Sequence, residues 1–287
     1  MKILAIIVTY NSEKWIDKNI NSIIQHGFTG DVLVIDNGSQ DTTLELVRNK
    51  FPKVRVIESD ENLGFARANN LGFEIAKKEL YDYVFLVNHD GWLLPGFWSQ
   101  VLPILSSTQY HEYGLLSPVH LDATEKKLDY GFEKYVKGGL REKSKDVVET
   151  DLLNGAFLFI SHKCLTTVKG FDPAFFFYGE DIDLCHRAKR KGYKLGVISN
   201  AKVVHDRQER EMTKDRLKHH LYANALIQIK SDEGAFVKSF AKAILSNVYL
   251  LFIKNTLFGY IPELYVQNLV RLIMNSNQIK NSYNNYK

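Results

Sequence analysis

The first ninety residues alternate short apolar runs with segments in which apolar residues recur every three or four positions. Continuous apolar runs are typical of strands buried on both faces, and the longer spacing is typical of amphipathic helices. The pattern predicts strands at residues 3–8, 31–36, 54–59 and 82–87. It predicts helices from Asn11 or Ser12 to Gly27, over residues 40–49 and over residues 65–79. Because the connections are short, we expect parallel strands joined by right-handed crossovers, as in an α/β fold.

The pattern changes after residue 112. Irregular strands with glycine turns are predicted at residues 113–121, 127–136 and 145–161. A helix over residues 180–191 and short strands at 194–199 and 201–205 follow, and from about Thr213 the pattern is helical to the end. We therefore expect an α/β domain with a mostly parallel sheet flanked by helices over residues 1–212, and a helical extension over residues 213–287.

Composition and charge limit the classes of partner. The chain has 37 lysine and arginine residues and 33 acidic residues, a net charge of +4. So small an excess does not indicate nucleic-acid binding, but it is compatible with an anionic ligand or a membrane surface. Cys164 and Cys185 form no CxxC pair, so neither a zinc site nor a disulfide framework is indicated and a cytoplasmic setting is expected. The N-terminus lacks a signal-peptide cleavage site and is interpreted as the first strand.

The C-terminal region contains an uncharged apolar segment at residues 243–253. It is 11 residues long, whereas a membrane-spanning helix needs about 20. We therefore expect the C-terminal helices to pack on the core, to contact a second copy of the chain, or to lie on the inner membrane surface.

Polar clusters follow all four of the first strands. They are Thr9-Tyr10-Asn11, Asp36-Asn37-Gly38, Asn62-Leu63-Gly64 and Asn88-His89-Asp90. Because ligands bind at the carboxyl ends of parallel strands, these clusters are predicted to converge on one site.

Three of these clusters have a chemical interpretation and a structural alternative. Asp90, with Asn88 on the same side of the chain, suits a hard cation that completes its shell with phosphate oxygens, but a turn or capping role is the alternative. Asp36 could accept from a nucleobase or a ribose hydroxyl, or cap its own loop as an Asx-turn. Gly64 opens a helix whose N-terminus and Arg67 favour phosphate, or it follows an ordinary cap. The chain has neither a GxGxxG nor a GxxxxGK[ST] motif, which removes the main support for dinucleotide and P-loop binding.

A second group of candidates lies downstream. Glu180, Asp181 and Asp183 begin a predicted helix directly after Phe175-Phe176-Phe177-Tyr178. Acidic residues are favoured at any helix N-terminus, but crowding in an apolar pocket raises carboxyl pKa values and suits a general base. His205 ends a predicted strand, where it is either structural or a further metal ligand.

These stretches together resemble the family 2 glycosyltransferases of the GT-A fold, especially their bacterial rhamnosyltransferase-like branch. The resemblance covers about residues 1–210. The matching stretches, in chain order, are IIVTYN, VIDNGSQDTT, ENLGFARANNLG, FLVNHDGWLLPGF, LLNGAFLFI, GFDPAFFFYGEDIDLCHRAKRKGYKL and AKVVH.

The resemblance implies a role for each matching residue. It implies a nucleotide pocket lined by Thr9, Tyr10, Asn11, Asp36, Asn62, Gly64, Arg67, Asn70 and Asn88. It makes Asp90 the principal ligand of a Mg²⁺ or Mn²⁺ ion and His205 a second ligand. It places the catalytic base at Asp181, within the acidic group that also holds Glu180 and Asp183. The triplet departs from the family pattern by beginning with Asn88, and the stretch after His205 offers Arg207 or Arg210 for phosphate contacts.

The resemblance also implies an activity. The expected reaction is inverting transfer of a sugar, such as rhamnose, from a UDP- or dTDP-sugar to a hydroxyl of a surface glycan acceptor that is free or lipid-linked. Two rivals stay open, which are a sugar nucleotidyltransferase and a non-catalytic module that binds nucleotides or glycans. We expect a cytoplasmic protein, with peripheral contact to the inner face of the membrane and a homodimer as open alternatives.

Overall fold

The computed structural model describes residues 1–24, 27–136, 145–207, 213–231, 234–252 and 262–286. Arg210, which the sequence offered as a phosphate contact, lies outside these ranges.

The first half of the fold follows the predicted strand–helix alternation. Its strands are β1 (Ile3–Thr9), β2 (Asp31–Asp36), β3 (Arg55–Glu58) and β4 (Tyr83–Val87). Its helices are α1 (Ile16–Ile24), α2 (Thr43–Lys50) and α3 (Gly64–Lys78). β1 pairs in parallel with both β2 and β4, and β2 pairs in parallel with β3. The predicted parallel arrangement is confirmed for these four strands.

The second half adds five strands to the same sheet. Its strands are β5 (Gly91–Leu93), β6 (Tyr113–Leu121), β7 (Val147–Glu149), β8 (Phe157–Ser161) and β9 (Lys194–His205). Three of them, β5, β7 and β8, run antiparallel to the first four. Its helices are α4 (Phe97–Ser106), a 3₁₀ turn (Thr108–Tyr110), α5 (Tyr130–Tyr135), α6 (His162–Val168) and α7 (Glu180–Arg190). The sheet order is β3-β2-β1-β4-β8-β6-β9-β5, with β7 also paired to β9. β8 is antiparallel to both β4 and β6, so the sheet is mixed beyond its first four strands.

Two local predictions were wrong. The stretch 127–136 was expected to be a strand, but it forms only one isolated bridge, at Leu128, before helix α5. Asp129 caps that helix by accepting a hydrogen bond from the Phe132 N–H at 2.8 Å, which favours helix over strand. The stretches 194–199 and 201–205 form a single strand, β9, whose register against β6 shifts between Pro118 and Val119.

Two apolar layers cover the faces of the sheet. One contains Phe73, Leu86, Leu158 and Leu184 and lies under α3, α6 and α7. The other contains Ile20, Val47, Phe85, Trp98 and Phe159 and lies under α1, α2 and α4. A sheet covered on both faces leaves its strand ends and their loops as the accessible edge.

The C-terminal region is helical, as predicted. It contains α8 (Lys214–Ser231), α9 (Phe236–Phe252), α10 (Pro262–Met274) and α11 (Ser276–Asn285). These helices share an apolar cluster with Phe175, which lies in the loop before α7. Among the described residues, no helix combines the length and the apolarity that crossing a bilayer requires.

Candidate active site

The loops after β1 and β2 are tied together by Asp36. Its Oδ1 accepts hydrogen bonds from Thr9 Oγ1 at 2.7 Å and Ser39 Oγ at 2.6 Å, and its Oδ2 accepts one from the Ser39 N–H at 2.9 Å. The Asp36 side chain is 1% exposed. It therefore caps its own loop, as in the structural alternative that the sequence offered, although the N–H that it bonds lies three residues on and not two as in an Asx-turn.

Tyr10 and Asn11 lie at the rim of this loop. Asn11 has a φ of +49°, and its side-chain oxygen accepts from the Gln40 N–H at 2.9 Å. Asn tolerates the left-handed conformation better than most residues with a Cβ. The turn leaves the Tyr10 ring 45% exposed, at the open end of the loop.

Asn37 was not among the predicted site residues, but it joins the second and third clusters. Its Oδ1 accepts from the Leu63 N–H at 2.8 Å, and its Nδ2 donates to Asn62 Oδ1 at 3.0 Å. Gly64 follows with a φ of +77°, and a Cβ there would lie 2.6 Å from the Phe176 carbonyl oxygen. Only glycine fits this position, because any side chain would collide with the loop that precedes α7.

Three predicted residues have other partners or positions. Arg67 is exposed on α3. The Asn70 amide accepts from the Phe171 N–H at 3.0 Å and donates to the Phe171 carbonyl at 2.8 Å. Asp183 Oδ2 accepts from Arg187 Nε at 2.7 Å, and Asp183 Oδ1 lies 3.4 Å from Lys230 Nζ. The structure therefore gives Asn70 a role in holding the loop before α7 and Asp183 a role in fixing α7 to α8, and it does not bring either into the group around Asp181.

The Asn88-His89-Asp90 triplet forms a fixed turn between β4 and β5. Asn19, a buried residue of α1 that the sequence analysis missed, donates from Nδ2 to the carbonyls of Asn88 at 2.8 Å and Gly91 at 2.6 Å. Asp90 is 1% exposed, and its Oδ1 lies 3.2 Å from His205 Nε2. Asn88 Nδ2 lies 3.3 Å from the same nitrogen. The two predicted metal ligands are therefore neighbours.

A buried cluster lies behind His205. Among the described residues, His120, Asp129 and His205 each offer one ligand atom within 4.8 Å of the other two. Within the same part of the chain, Nδ1 of His120 and Nδ1 of His205 have no hydrogen-bond partner. Buried polar atoms without a partner commonly mark an ion or a water. Imidazole and carboxylate donors at these distances fit a divalent cation such as Mn²⁺.

His120 and Asp129 were missed by the sequence analysis. His120 lies at the end of β6, so the strand-end rule applied to Asn88 and His205 would have found it. Arg207 Nε donates to Asp129 at 2.8 Å, which keeps this guanidinium beside the cluster. Burial lowers the pKa of His120 well below its usual range, and the charges of His205 and Arg207 lower it further.

Asp181 lies at the start of α7 in a setting that suits a general base. Its Oδ2 accepts from Tyr135 Oη at 3.1 Å and from the Gly155 N–H at 3.2 Å, and its Oδ1 accepts from the Ile182 N–H at 2.8 Å. Burial raises the pKa of Asp181, while these hydrogen bonds lower it and oppose the increase. Tyr135, in α5, is a further contact that the sequence did not reveal.

Glu180 has a different environment from its neighbour. Burial, followed by the negative charge of Asp181, raises the pKa of Glu180 to about 8. Within the described residues, Glu180 Oε2 is buried without a hydrogen-bond partner. Near neutral pH Glu180 therefore holds a proton while Asp181 is the better stabilised carboxylate.

The residues just before β8 connect the two groups. The Asn88 N–H donates to the Ala156 carbonyl at 2.8 Å, and the Gly155 N–H donates to Asp181 Oδ2. The charge of Arg207, which bonds Asp129 beside His205, also acts on Asp181. The metal-binding candidates and the candidate base therefore lie at one edge of the sheet, on either side of residues 154–156.

The contact between Tyr135 and Asp181 gives a pH-dependent prediction. Tyr135→Phe removes a donor to the ionised carboxylate, so the pKa of Asp181 rises. We expect the acidic limb of the kcat/KM profile to move to higher pH, with little change in the plateau. Tyr130→Phe, at an exposed tyrosine of the same helix, is the control. An equal loss of kcat/KM at every pH would instead indicate that Tyr135 supports only the fold.

Comparison with known proteins identifies the family to which this site belongs. Residues 4–159, more than half of the chain, match the family model described as Glycosyl transferase family 2. The chain belongs to glycosyl transferase family 2. The matched residues include nearly all of β1, all of β2 to β4, the triplet and the first part of β8, so most of the strand ends described above lie within the family region.

Curated relatives of this family 2 chain include named and uncharacterised proteins. An uncharacterised Mycobacterium tuberculosis protein is 30% identical over 192 residues, covering 61% of this chain and 63% of that protein. The N-acetylglucosaminyl-diphospho-decaprenol L-rhamnosyltransferase of M. tuberculosis is 24% identical over 203 residues, covering 61% and 66%. The low-salt glycan biosynthesis hexosyltransferase Agl10 of Haloferax volcanii is 25% identical over 243 residues, covering 82% and 76%. The aligned part spans less than two thirds of the length of the two mycobacterial relatives.

Solved structures of similar fold extend the comparison along the family 2 chain. Residues 1–349 of S. aureus TarS give a TM-score of 0.61 at 16% identity, covering 100% of this chain and 89% of that one. The mannosyltransferase PcManGT of Pyrobaculum calidifontis, in complex with GDP-Man and Mn²⁺, gives 0.61 at 15% identity, covering 99% and 85%. At these identities the likeness shows the fold, and the predicted α/β GT-A class is confirmed.

Proposed function

We propose that the chain is an inverting glycosyltransferase that moves a sugar from a nucleoside-diphosphate donor to an acceptor hydroxyl, with the help of a divalent cation. The observation that carries the proposal is the bridge at Gly155 and Ala156. The Gly155 N–H bonds Asp181 on one side, and the Ala156 carbonyl bonds the Asn88 N–H on the other. A single displacement needs a base for the acceptor and a charge-stabilising group for the leaving diphosphate within one cleft.

Asp181 acts on the acceptor side of the reaction. The acceptor hydroxyl gives its proton to this carboxylate as its oxygen attacks the anomeric carbon of the donor. Asp181 Oδ2 already accepts two hydrogen bonds, whereas Oδ1 accepts one, so Oδ1 is the atom that receives the proton. Tyr135 and Gly155 hold the carboxylate in position for this step, and no covalent intermediate is required.

The loops at the strand ends bind the donor. Asp90 and His205 would hold the cation, with His120 and Asp129 directly behind them. A bound divalent cation supplies positive charge that stabilises the departing diphosphate. The nucleotide would lie along these loops, against Tyr10 and Asn11 at the open rim and Gly64 at the start of α3. The hydrogen bond between Thr9 and Asp36 keeps this part of the loops rigid. Exposed Arg67 and half-buried Arg207 add positive charge for phosphate.

The identity of donor and acceptor is proposed from relatives. One relative is named as an L-rhamnosyltransferase that acts on N-acetylglucosaminyl-diphospho-decaprenol, and another as a glycan biosynthesis hexosyltransferase. TarS has been solved with UDP-GlcNAc. The TarS complex supports a UDP-sugar as donor, and the named rhamnosyltransferase supports rhamnose as the sugar and a lipid-linked glycan as acceptor. A dTDP-sugar donor, including dTDP-rhamnose, and a free surface glycan acceptor are the alternatives that the sequence resemblance implies.

The released product tests the proposal against its rivals. Purified chain is incubated with Mn²⁺ and labelled UDP- and dTDP-sugars, with and without glycan acceptors. Glycosyl transfer predicts free nucleoside diphosphate from the nucleotide-sugar. A sugar nucleotidyltransferase leaves the nucleotide-sugar intact in this reaction and releases pyrophosphate only in a parallel reaction with a nucleoside triphosphate and a sugar 1-phosphate. Donor binding without any turnover across the panel would favour a non-catalytic module instead.

The cation ligands give a separate binding prediction. Asp90→Ala removes a buried carboxylate next to His205, so we expect Mn²⁺-dependent donor binding to be lost in calorimetry. Binding of the donor without Mn²⁺ should change little, because the loop contacts remain. Asp122→Ala, at a partly exposed carboxylate that follows β6, is the control. Unchanged Mn²⁺-dependent affinity in Asp90→Ala would remove Asp90 from the cation site.

A further inference from the structure

The C-terminal helices carry an unusual concentration of exposed apolar side chains. Eight of the fourteen large apolar side chains that are exposed among the described residues lie on α9 and α10. On α10 they are Val266, Val270, Ile273 and Met274, with exposed fractions of 46%, 49%, 60% and 79%. This spacing places them on one face of the helix, opposite the buried Leu264, Asn268 and Leu272. We name these four side chains the α10 stripe.

The stripe borders a shallow depression on the surface. The depression has a volume of about 430 Å³ and is lined by Val266, Gln267, Val270, Arg271, Met274 and Asn275. On α9, which packs against α10, Leu245 and Tyr249 are also exposed, at 67% and 66%. Apolar patches of this kind on a folded protein mark an interaction surface.

The C-terminal region differs from the rest of the chain in its net charge. Residues 213–287 contain ten lysine and arginine residues and four acidic residues, a net charge of +6. Residues 1–212 contain 27 basic and 29 acidic residues, a net charge of −2. The small positive charge of the whole protein therefore arises entirely in the helical region that carries the apolar stripe. Lys238 and Lys242 are exposed on α9.

We propose that α9 and α10 dock this protein on an anionic bilayer surface, with the α10 stripe inserted at the headgroup level. A basic region with an exposed apolar helix face is the arrangement that binds anionic lipid without crossing the membrane. A second copy of the chain is a poorer occupant, because a two-fold contact through this face would bring two regions of charge +6 together.

The docking also has a consequence for the site. Lys230 of α8 bonds Asp172 and lies 3.4 Å from Asp183 of α7, so the C-terminal helices are fixed to the helix that carries Asp181. A docked protein would present the cleft at a constant orientation to the bilayer. This orientation matters for catalysis only if the acceptor is lipid-linked, as proposed above. The docking itself is measured without any substrate.

Vesicle co-sedimentation of the full chain tests the proposal. The vesicles are phosphatidylcholine alone or mixed with phosphatidylglycerol, at low and high salt. We expect binding to the anionic vesicles only, weakened by salt. The double variant Val270→Glu with Ile273→Glu should bind at least about tenfold more weakly, because two charges enter the inserted face. Lys238→Glu with Lys242→Glu should lose binding mainly at low salt.

Controls separate docking from folding and from self-association. Leu80→Glu changes a side chain that is 72% exposed in the α/β domain, and it should bind like the unmodified protein. Circular dichroism melting checks that each variant is folded, and the lysine variant provides the test if the stripe variant is not. Equal sedimentation of the unmodified protein with neutral and anionic vesicles overturns the proposal, as does no sedimentation with either. So does a dimer that becomes monomeric in the stripe variant, because a second copy would then cover this face.

Discussion

Asp181→Asn lowers kcat by about 10²–10⁴-fold, the usual contribution of a positioned general base. The amide keeps the size of the side chain, and its single oxygen can keep the hydrogen bonds from Tyr135 and Gly155 or the one from Ile182, but it cannot take a proton at neutral pH. Donor affinity should stay within a few fold, because Asp181 lies on the acceptor side. Steady-state kinetics and calorimetry with donor measure the two effects separately.

Glu180→Gln is the matched comparison for that variant. Since the pKa of Glu180 is raised to about 8, the neutral amide resembles the form that already predominates near pH 7. We expect Glu180→Gln to keep most activity at pH 7, whereas Asp181→Asn does not. Because Glu180 is already protonated over the acidic limb of the profile, we expect that limb to stay in place in Glu180→Gln. Near-normal turnover in Asp181→Asn, or an equal loss in Glu180→Gln, would show that the base has been assigned wrongly.

Lys230→Met destabilises the whole protein by about 3–5 kcal/mol, the range found when one partner of a buried ion pair is removed. The Lys230 side chain is 3% exposed and bonds Asp172, with Ser282 Oγ at 3.2 Å and Asp183 at 3.4 Å. Loss of the Lys230 ammonium leaves the buried carboxylates of Asp172 and Asp183 without the positive charge between them. Adding Asp172→Asn should recover part of the loss, because it removes one of those charges.

The tryptophans allow a sharper measurement of that effect. Trp15, Trp92 and Trp98 all lie in the α/β domain, so their fluorescence reports the unfolding of residues 1–212. If Lys230 joins the helical region to α7 in one cooperative unit, Lys230→Met lowers the urea midpoint seen by tryptophan fluorescence. Lys218→Met, at a less buried lysine of the same helix, should change it little. An unchanged fluorescence midpoint in Lys230→Met would mean that the regions divided at residue 212 unfold independently.

The elements that the sequence predicted well have local causes. Continuous apolar runs identified β1, β2 and β4, because strands covered on both faces need apolar residues at nearly every position. The rule that ligands bind at strand ends then brought Asp90 and His205 together correctly, although they are far apart in the chain. Residues 127–136 were misassigned because their aromatic spacing resembles a strand, while the decisive cap at Asp129 is a single side chain.

The contacts that the sequence did not reveal depend on sheet order. β8 inserts between β4 and β6 in the antiparallel direction, and this insertion places Gly155 beside Asp181. Asn19 and Tyr135 act on residues 69 and 46 positions away, so no spacing rule indicates them. Asn70 and Asp183 show the reverse case, in which a residue of a matching motif has a structural role. Asn70 bonds Phe171 in the loop before α7, and Asp183 bonds Arg187 within α7.

The stereochemistry of transfer tests the central claim most directly. A base on one side of the sugar and a stabilised leaving group on the other allow one displacement, which inverts the anomeric carbon. Proton NMR of the first product formed from an α-linked nucleotide-sugar should therefore show a β-glycoside, and Asp181→Asn should form it far more slowly. A product with retained α-configuration would contradict a single displacement by Asp181 across a shared cleft.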